Sequence, residues 1–338
     1  MITEAQLDQM LVTPSNGLVE DMKKIEGDIM IIGAGGKMGP SMCVLAKNAI
    51  REAGVTKRVI AVSRFTDPIA TKFLNDNGVE TVSVDLLEEG SLSKLEDVKN
   101  VIFMAGRKFG TDGAEAVTWA MNAYLPGEIA RKFRNSRMVV FSSGNIYPMM
   151  PLHSGGATEA IKPEPIGEYA MSCLGRERIF EYWSGKYEIP MLIYRLNYAV
   201  DLRYGVLYDI AANIMNDRPV SLNTAVFNCI WQQDANEIAI RSLLHAKYPA
   251  ERLNVTGPEI VSVKAAAKKL GALLNKEPVF TGEEKDVAFL NNAGKCIQWF
   301  GYPKKGIDEL IEMQADWILS GGRSLGKATH FEERGGKF

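Results

Sequence analysis

Short apolar runs recur along the first two thirds of the chain, separated by stretches in which apolar residues are spaced about one helical turn apart. The runs lie at 29–32, 58–63, 79–84, 98–104, 138–141 and 190–196. The stretches with helical spacing lie at 42–53, 119–135 and 168–183. Strands of a parallel sheet are buried on both faces and are therefore continuously apolar, so this alternation predicts an α/β protein with a doubly wound parallel sheet.

The first apolar run leads directly into a glycine-rich turn. Gly33, Gly36 and Gly39 follow at three-residue spacing, with Lys37 and Met38 between the last two, and a helix pattern follows. Glycines let the backbone turn tightly and approach a ligand closely, while the N–H groups at a helix start attract negative charge. The sequence therefore predicts that these five residues contact the diphosphate of a dinucleotide.

The end of the second run indicates which dinucleotide binds. A carboxylate there would accept hydrogen bonds from the adenosine ribose and favour NAD, whereas a basic residue accommodates the 2′-phosphate of NADP. The residues at this position are Ser63 and Arg64, and the first carboxylate is Asp67. NADP is therefore the predicted cofactor, with NAD as the alternative, and Lys37 adds a second positive charge nearby.

Two further runs end in residues suited to the same ligand. The third run ends in Asp85-Leu86, where the adenine edge is expected, and the fourth ends in Ala105-Gly106. Small residues at the carboxyl end of a parallel strand allow a ligand to lie across the sheet. We therefore expect all four residues to line the dinucleotide site.

The pattern divides the chain into four parts. Residues 1–27 read as a helical extension, and 28–200 as the dinucleotide-binding domain, to which parts of 226–260 return. Residues 201–320 mainly form a smaller α/β substrate lobe, in which the strand–helix alternation loosens. The glycine-rich tail, 321–338, is expected either to be loosely ordered or to form an arm on a partner subunit.

Composition excludes several classes of function. A net charge of −2 and an isoelectric point near 6.1 give no reason to expect nucleic acid or a membrane as a partner. The four Cys and three His are scattered without ligand-like spacing, which argues against a metal site and against a disulfide framework. We therefore expect a cytoplasmic protein that holds no metal.

With these residues in place, the chain resembles the extended short-chain dehydrogenase/reductases, the NAD(P)-dependent sugar epimerase and dehydratase group, over roughly residues 28–234. The resemblance implies a Rossmann fold, a homodimer, a catalytic pair formed by Ser143 and Tyr169, and a cofactor contact from Asn122. By the same resemblance, the substrate is expected to contact Ser143, Asn145 and Asn197.

One position departs from the family pattern. The family places a Lys four residues after the catalytic Tyr, where its charge lowers the Tyr pKa and its ammonium binds the nicotinamide ribose. Here that position is Cys173, which by alignment alone also becomes a cofactor-contacting residue. Three interpretations remain open. Tyr169 acts as a neutral acid with Ser143, or another group such as Arg107 or Lys108 replaces the charge, or the redox chemistry has been lost.

A second departure concerns the substrate. Nucleotide-sugar members carry an Arg that grips the substrate diphosphate, and the corresponding residue here is Phe227, with Trp231 replacing a His four residues later. An aromatic such as Trp231 is suited to stacking on a sugar ring. The sequence thus favours an oxidoreductase or epimerase/dehydratase-type enzyme on a small sugar-like carbonyl or alcohol rather than a nucleotide sugar. The alternative is a non-catalytic NADP(H)-binding redox sensor or regulatory protein.

Overall fold

A seven-stranded parallel sheet forms the centre of the computed structural model, which describes residues 2–108, 110–327 and 329–337. The strands are β1 (Ile29–Ile32), β2 (Val59–Ser63), β3 (Glu80–Ser83), β4 (Asn100–Phe103), β5 (Arg137–Ser143), β6 (Met191–Leu196) and β7 (Glu251–Val255). Their order across the sheet is β3-β2-β1-β4-β5-β6-β7. Strand order reverses between β1 and β4, which opens a crevice at their carboxyl ends. The predicted doubly wound sheet is confirmed, and β7 comes from the segment expected to return to it.

Helices cover both faces of the sheet. They are α1 (Glu4–Val12), α2 (Asn16–Lys24), α3 (Gly39–Glu52), α4 (Pro68–Asp76), α5 (Glu115–Trp119), α6 (Leu125–Lys132), α7 (Gly167–Tyr187), α8 (Val206–Met215), α9 (Gln232–Arg241), α10 (Val263–Leu274), α11 (Gly294–Phe300) and α12 (Ile307–Leu319). A π-helical turn, Ala120–Tyr124, joins α5 to α6, and 3₁₀ turns occupy Ser91–Lys94, Gly144–Ile146 and Ser242–His245. Four helices begin at side chains that accept a backbone N–H, as N-caps do, namely Thr3, Ser15, Asp67 and Ser262.

The core consists of two apolar layers, one on each face of the sheet. Because side chains alternate along a strand, Ile29 and Ile31 point to one layer, where α3 and the N-terminal helices pack. Met30 and Ile32 point to the other, where α6 and α7 pack. All four side chains are fully buried, as the continuous apolar run predicts.

Beyond the sheet, the chain builds a lobe of helices and two-residue strands. The strand pairs are Ala199–Val200 with Ile230–Trp231, Val220–Ser221 with Phe280–Thr281, Val226–Phe227 with Val261–Ser262, and Met150–Pro151 with Val287–Ala288. The stretch 226–231 thus holds two short strands that belong to different pairs.

The C-terminal segment packs on its own chain. Thr329 donates two hydrogen bonds to Asp209 Oδ2, at 2.8 and 2.5 Å from its N and Oγ1, and Phe331 is buried. The Leu325 N–H donates to the Arg203 carbonyl at 3.0 Å. Of the two expectations for this segment, a loosely ordered tail does not fit these contacts, because Phe331 gives the segment a buried anchor.

Candidate active site

The glycine turn shapes one wall of the crevice. Gly33 has φ of +94°, and a Cβ there would lie 2.5 Å from the Ala105 backbone nitrogen, so the turn excludes any side chain at this position. The helix that follows, α3, begins at Gly39 without a side-chain cap. The Gly39 N–H donates to the Gly36 carbonyl at 3.3 Å, which closes the turn at the start of the helix. Gly36 lines the crevice, and its hypothetical Cβ meets nothing nearer than 3.5 Å. These features fit the diphosphate of a dinucleotide.

A cavity of about 440 Å³ extends from the glycine turn towards β2 and β3. Its lining includes the predicted residues Gly33, Gly36, Ser63, Arg64, Asp85, Leu86, Ala105 and Gly106. The Arg64 side chain is 66% exposed, and its Nη1 lies 4.0 Å from Asp85 Oδ2. Asp67 accepts the Ile69 N–H as the cap of α4, so it is engaged in starting that helix. This cavity has the position and lining expected of an adenosine site.

A second cavity, of about 300 Å³, lies on the other side of the glycine turn. It is lined by Lys37, Met38, Ser143, Asn145, Tyr169 and Asn197, all of which the sequence singled out, together with Tyr204 and Thr329. Ser143 ends β5 and accepts the Asn145 N–H at 3.1 Å, while Tyr169 lies in the first turn of α7. Gly39 lies outside this lining, as the first residue of α3. The expected catalytic pair therefore meets in one cavity beside the glycine turn.

Tyr169 is a neutral phenol in this environment. Burial raises its pKa well above the ordinary value and the Cys173 thiol raises it further, whereas a hydrogen bond with Ser143 and the charge of Arg176 lower it. Burial likewise raises the pKa of the Cys173 thiol. At neutral pH, both side chains therefore keep their protons, and the Tyr169 hydroxyl is a hydrogen-bond donor.

Cys173 does not line either cavity. It is buried in a small apolar cluster with Ile146, Tyr147 and Ala157, and Tyr169 packs against this cluster. The expectation that Cys173 contacts the cofactor is therefore corrected, because a short thiol at this position stays beneath Tyr169 and does not reach the crevice.

Arg176 is a buried cation held by neutral oxygens. Its Nε and Nη1 donate to the carbonyls of Asn122 and Phe141 at 3.2 and 2.9 Å, and its Nη2 donates to Asn122 Oδ1 at 2.6 Å. Among the described residues it has no carboxylate partner within ion-pair distance. A Cβ at Gly106 would lie 2.5 Å from Arg176 Nη2, so this glycine makes room for the guanidinium.

Asn122 supports this arrangement from the π-helical turn. Its amide donates to the Arg107 carbonyl and to Ser172 Oγ, both at 2.9 Å, and its Oδ1 accepts the Arg107 N–H at 2.9 Å. The side chain is fully buried and does not line the cavities described above. The expectation of a cofactor contact is corrected to a positioning role, since the widened helical turn aims the amide at the loop after β4.

A buried polar network lies directly behind Ser143 and Tyr169. Glu177 accepts two hydrogen bonds from Arg195, at 2.9 and 2.7 Å, and a third from Ser142 Oγ at 2.6 Å. Arg195 also donates to Tyr147 Oη at 2.5 Å, and that hydroxyl donates to Asn254 at 2.8 Å. The network links β5, β6, β7 and α7, and it fixes the strand end that carries Ser143.

Two lysines face the reaction cavity. Lys37 Nζ lies 3.0 Å from the centroid of the Tyr204 ring, and burial together with the nearby charge of Lys108 lowers the Lys37 pKa to about 7. Lys108 Nζ lies 5.6 Å from the centroid of the Tyr169 ring, and burial lowers the Lys108 pKa to about 8. Lysines with such pKa values in a crevice are typical of functional sites.

Trp231 lies outside the site. Trp231 and Phe227 are at most 1% exposed, and neither of them lines a cavity. The expectation that Trp231 stacks on a substrate ring is therefore corrected, because the short strand Ile230–Trp231 places this indole in the main apolar core. Asn197 does line the reaction cavity, where its amide donates to Asn228 Oδ1 at 2.8 Å.

Searches for other kinds of site found none in the described part of the chain. No group of three or more His, Cys, Asp or Glu side chains could hold a metal ion there. Across residues 2–108, 110–327 and 329–337, no helix is both long and apolar enough to span a membrane. The four cysteines are buried free thiols.

A parallel sheet in this order, a glycine turn at its switch point and a Ser–Tyr pair in the adjoining cavity define a dinucleotide-dependent enzyme of the short-chain dehydrogenase type. The chain belongs to the NAD dependent epimerase/dehydratase family, whose sequence profile matches residues 29–200, just over half of the chain. The family and the fold expected from the sequence are thereby confirmed.

Solved structures support the same fold. UDP-glucuronic acid 4-epimerase from Bacillus cereus in complex with NAD matches with 18% identity and a TM-score of 0.70, covering 87% of this chain and 99% of that one. The dTDP-glucose 4,6-dehydratase from Bacillus anthracis in complex with NAD matches with 16% identity and a TM-score of 0.72, covering 87% and 97%. No curated protein matches the sequence. At such identities, the likeness concerns the fold alone.

Proposed function

We propose that this protein moves a hydride between a nicotinamide dinucleotide and a small sugar-like carbonyl or alcohol, with Tyr169 exchanging the proton on the substrate oxygen. The observation that carries the proposal is the hydrogen-bonded pair of Ser143 and Tyr169 in a cavity beside the glycine turn. Gly33, Gly36 and Met38 are suited to hold the dinucleotide at that turn. When bound, the nicotinamide supplies the acceptor or donor of the hydride.

Of the three interpretations of the missing lysine, the neutral acid describes Tyr169 before it gives up its proton, and it is compatible with another group that supplies the lost charge afterwards. A phenol with a raised pKa donates to a carbonyl oxygen, and Ser143 Oγ adds a second hydrogen bond to the same oxygen. Arg176, seven residues along α7, adds positive potential from below, which stabilises negative charge developing on that oxygen. The arrangement therefore favours reduction of a carbonyl over oxidation of an alcohol.

The size and lining of the cavity favour a small substrate. A volume of about 300 Å³ has to take both the reacting end of the cofactor and the substrate, which is the lower end of the range of about 300–1,000 Å³ for ligand pockets. Phe227, the counterpart of the family's diphosphate-gripping Arg, is fully buried. The similar enzymes named above act on nucleotide sugars, whereas we propose a free sugar, a sugar acid or a related polyol for this chain.

Arg64 supports NADP as the preferred cofactor. It lines the adenosine-side cavity at the end of β2, beside Ser63, where a carboxylate would select NAD. Arg64→Asp tests this preference by steady-state kinetics or fluorescence titration with NADPH and NADH. The preference should shift towards NADH by at least about tenfold, since a guanidinium–phosphate contact is charge-assisted and is replaced by repulsion. An unchanged preference would show that Arg64 plays no part in selection.

The decisive test of the enzymatic proposal is Tyr169→Phe. The purified protein is assayed with NADPH and NADH against a panel of free sugars, sugar acids, polyols and nucleotide sugars. We expect turnover to fall by about 100-fold or more in the variant, with dinucleotide affinity nearly unchanged because only a hydroxyl is removed. Unchanged turnover would refute the role of Tyr169. Dinucleotide binding without turnover of any compound would refute the enzymatic proposal and leave a nucleotide-binding protein.

We also propose a homodimer built on α5, α6 and α7. Five large apolar side chains on these adjoining helices and the turn between them are exposed, namely Val117, Trp119, Tyr124, Met171 and Tyr182. Exposed apolar groups clustered on neighbouring helices are typical of an interface. Light scattering should therefore report a dimer that Tyr182→Glu converts to a monomer, whereas a monomeric parent protein would refute the proposal.

A further inference from the structure

We propose that Lys108, on the loop after β4, replaces the lysine that the family carries four residues after the catalytic tyrosine. This inference rests on the proposed hydride transfer and assigns a residue to it. In the family pattern, one ammonium both stabilises the ionised tyrosine and holds the nicotinamide ribose. Here the helix position is Cys173, whose neutral thiol does neither.

Lys108 lies near Tyr169 and also lines the crevice. Its Nζ lies 5.6 Å from the centroid of the Tyr169 ring, and its charge acts on the Cys173 thiol directly beneath that ring. Lys108 also lines the adenosine-side cavity and the reaction cavity, so it stands where one dinucleotide spanning both has to pass. The Lys108 side chain thus extends from the loop after β4 and brings its ammonium to the side of α7 where Cys173 carries no charge.

The other cations nearby make contacts away from Tyr169, although the buried Arg107 Nε has no hydrogen-bond partner among the described residues. Arg176 donates hydrogen bonds to the backbone carbonyls of Asn122 and Phe141 and to the side-chain oxygen of Asn122. Arg107 donates through Nη2 to the Gly110 carbonyl at 2.8 Å. Lys37 lies over the Tyr204 ring, on the far side of the cavity. Among these groups, Lys108 is therefore the one placed against Tyr169.

The local electrostatics are consistent with this role. Burial lowers the pKa of Lys108 to about 8, so most molecules carry the charge at pH 7. Binding of a dinucleotide brings diphosphate charge near this ammonium and further favours its protonated form. Lys37, Cys173, Tyr169 and Arg176 surround this corner, and Glu177 acts on the Cys173 thiol from α7. Asp67, Asp85, Arg64, Arg107 and Lys327 line the adenosine-side cavity together with Lys108.

The test moves the charge from the loop to the helix. Lys108→Met should lower kcat/KM by about 100-fold and weaken dinucleotide binding, measured separately by fluorescence titration. Lys108→Arg should retain much of both properties. The double variant Lys108→Met/Cys173→Lys, which restores the family arrangement, should recover at least tenfold of the loss. Lys132→Met, a half-buried lysine paired with Asp97 away from the crevice, is the matched control and should behave as the parent protein.

Three outcomes would overturn the inference. In the first, Tyr169→Phe inactivates the enzyme, but Lys108→Met keeps kcat/KM and dinucleotide affinity within twofold of the parent protein. The proposed function then stands, and Lys108 plays no part in it. In the second, Lys108→Met lowers kcat/KM and dinucleotide affinity, but neither Lys108→Arg nor the double variant restores them, although circular dichroism shows that all variants are folded. Lys108 then contributes only to local packing. In the third, the parent protein turns over no substrate, and Lys108→Met binds the dinucleotide as tightly as the parent does. That result refutes both proposals.

Discussion

The buried ion pair behind the active site allows a quantitative prediction. Glu177 and Arg195 have side chains 0% and 2% exposed, with 2.7 Å between Glu177 Oε2 and Arg195 Nη2. Glu177→Gln keeps the shape but removes the charge, so the guanidinium stays buried without a countercharge. Two unit charges about 4 Å apart at an effective dielectric constant of about 20 attract by about 4 kcal/mol, and breaking one such pair typically costs about 3–5 kcal/mol. We expect the free energy of unfolding to fall by about 3–5 kcal/mol.

The assay is urea unfolding followed by circular dichroism, with an exposed pair as the matched control. Lys72 and Asp76 lie one turn apart on α4, 2.6 Å from each other, with side chains 73% and 58% exposed. Asp76→Asn should cost less than about 0.5 kcal/mol, because solvent screens this pair. The free energy of unfolding of the double variant Glu177→Gln/Arg195→Met should fall by less than the sum of the losses in the two single variants. The double variant leaves no buried charge without a partner. A loss below about 1 kcal/mol in Glu177→Gln would refute the reasoning that burial makes this pair costly to break.

Three further predictions concern the glycine turn, the acid limb of stability and the C-terminal segment. Gly36→Ala should leave thermal unfolding unchanged but weaken dinucleotide binding by at least about tenfold in fluorescence titration, because its Cβ takes the space a diphosphate needs. Although burial opposes it, hydrogen bonds from Lys247 and Lys295 lower the pKa of Glu251 to about 2 from an ordinary 4.5, so its stabilising contribution is present above about pH 4.5 and is lost as the pH falls through about 2. The urea midpoints of Glu251→Gln and the parent should therefore differ at pH 7 and converge near pH 2. Phe331→Ala removes the buried anchor of the C-terminal segment, and limited proteolysis should cut this segment more than about tenfold faster, with little change in global unfolding.

The sequence predicted the features that follow from local chemistry. The apolar run 29–32 indicated a strand buried on both faces, since only a central parallel strand has no polar side. Gly33 indicated a turn because its backbone lies where other residues are strained. Ser143 and Tyr169, 26 residues apart, required the resemblance to be recognised, because spacing alone does not bring a strand end and a helix start together.

The features that the sequence missed depend on packing between distant segments. The indole ring of Trp231 is chemically suited to stacking on a sugar. Whether it faces a crevice or a core depends on the pairing of Ile230–Trp231 with Ala199–Val200. Lys108 was one of two candidate charges on its loop, and only the path of that loop brings it to Tyr169. Phe331 gave no periodic signal, because its burial rests on one residue in a polar stretch.

The contact between Gly106 and Arg176 has a consequence for how this sequence can evolve. A Cβ at position 106 would stand 2.5 Å from Arg176 Nη2 and 3.1 Å from Asn122 Oδ1, so none of the three residues can be replaced freely while the others stay. A lineage that gains a side chain at 106 has first to shorten residue 176, and the amide at 122 then loses its cationic partner. Descendants of a common ancestor should therefore inherit these three positions as a block, and ancestral reconstruction should find them changing on the same branches.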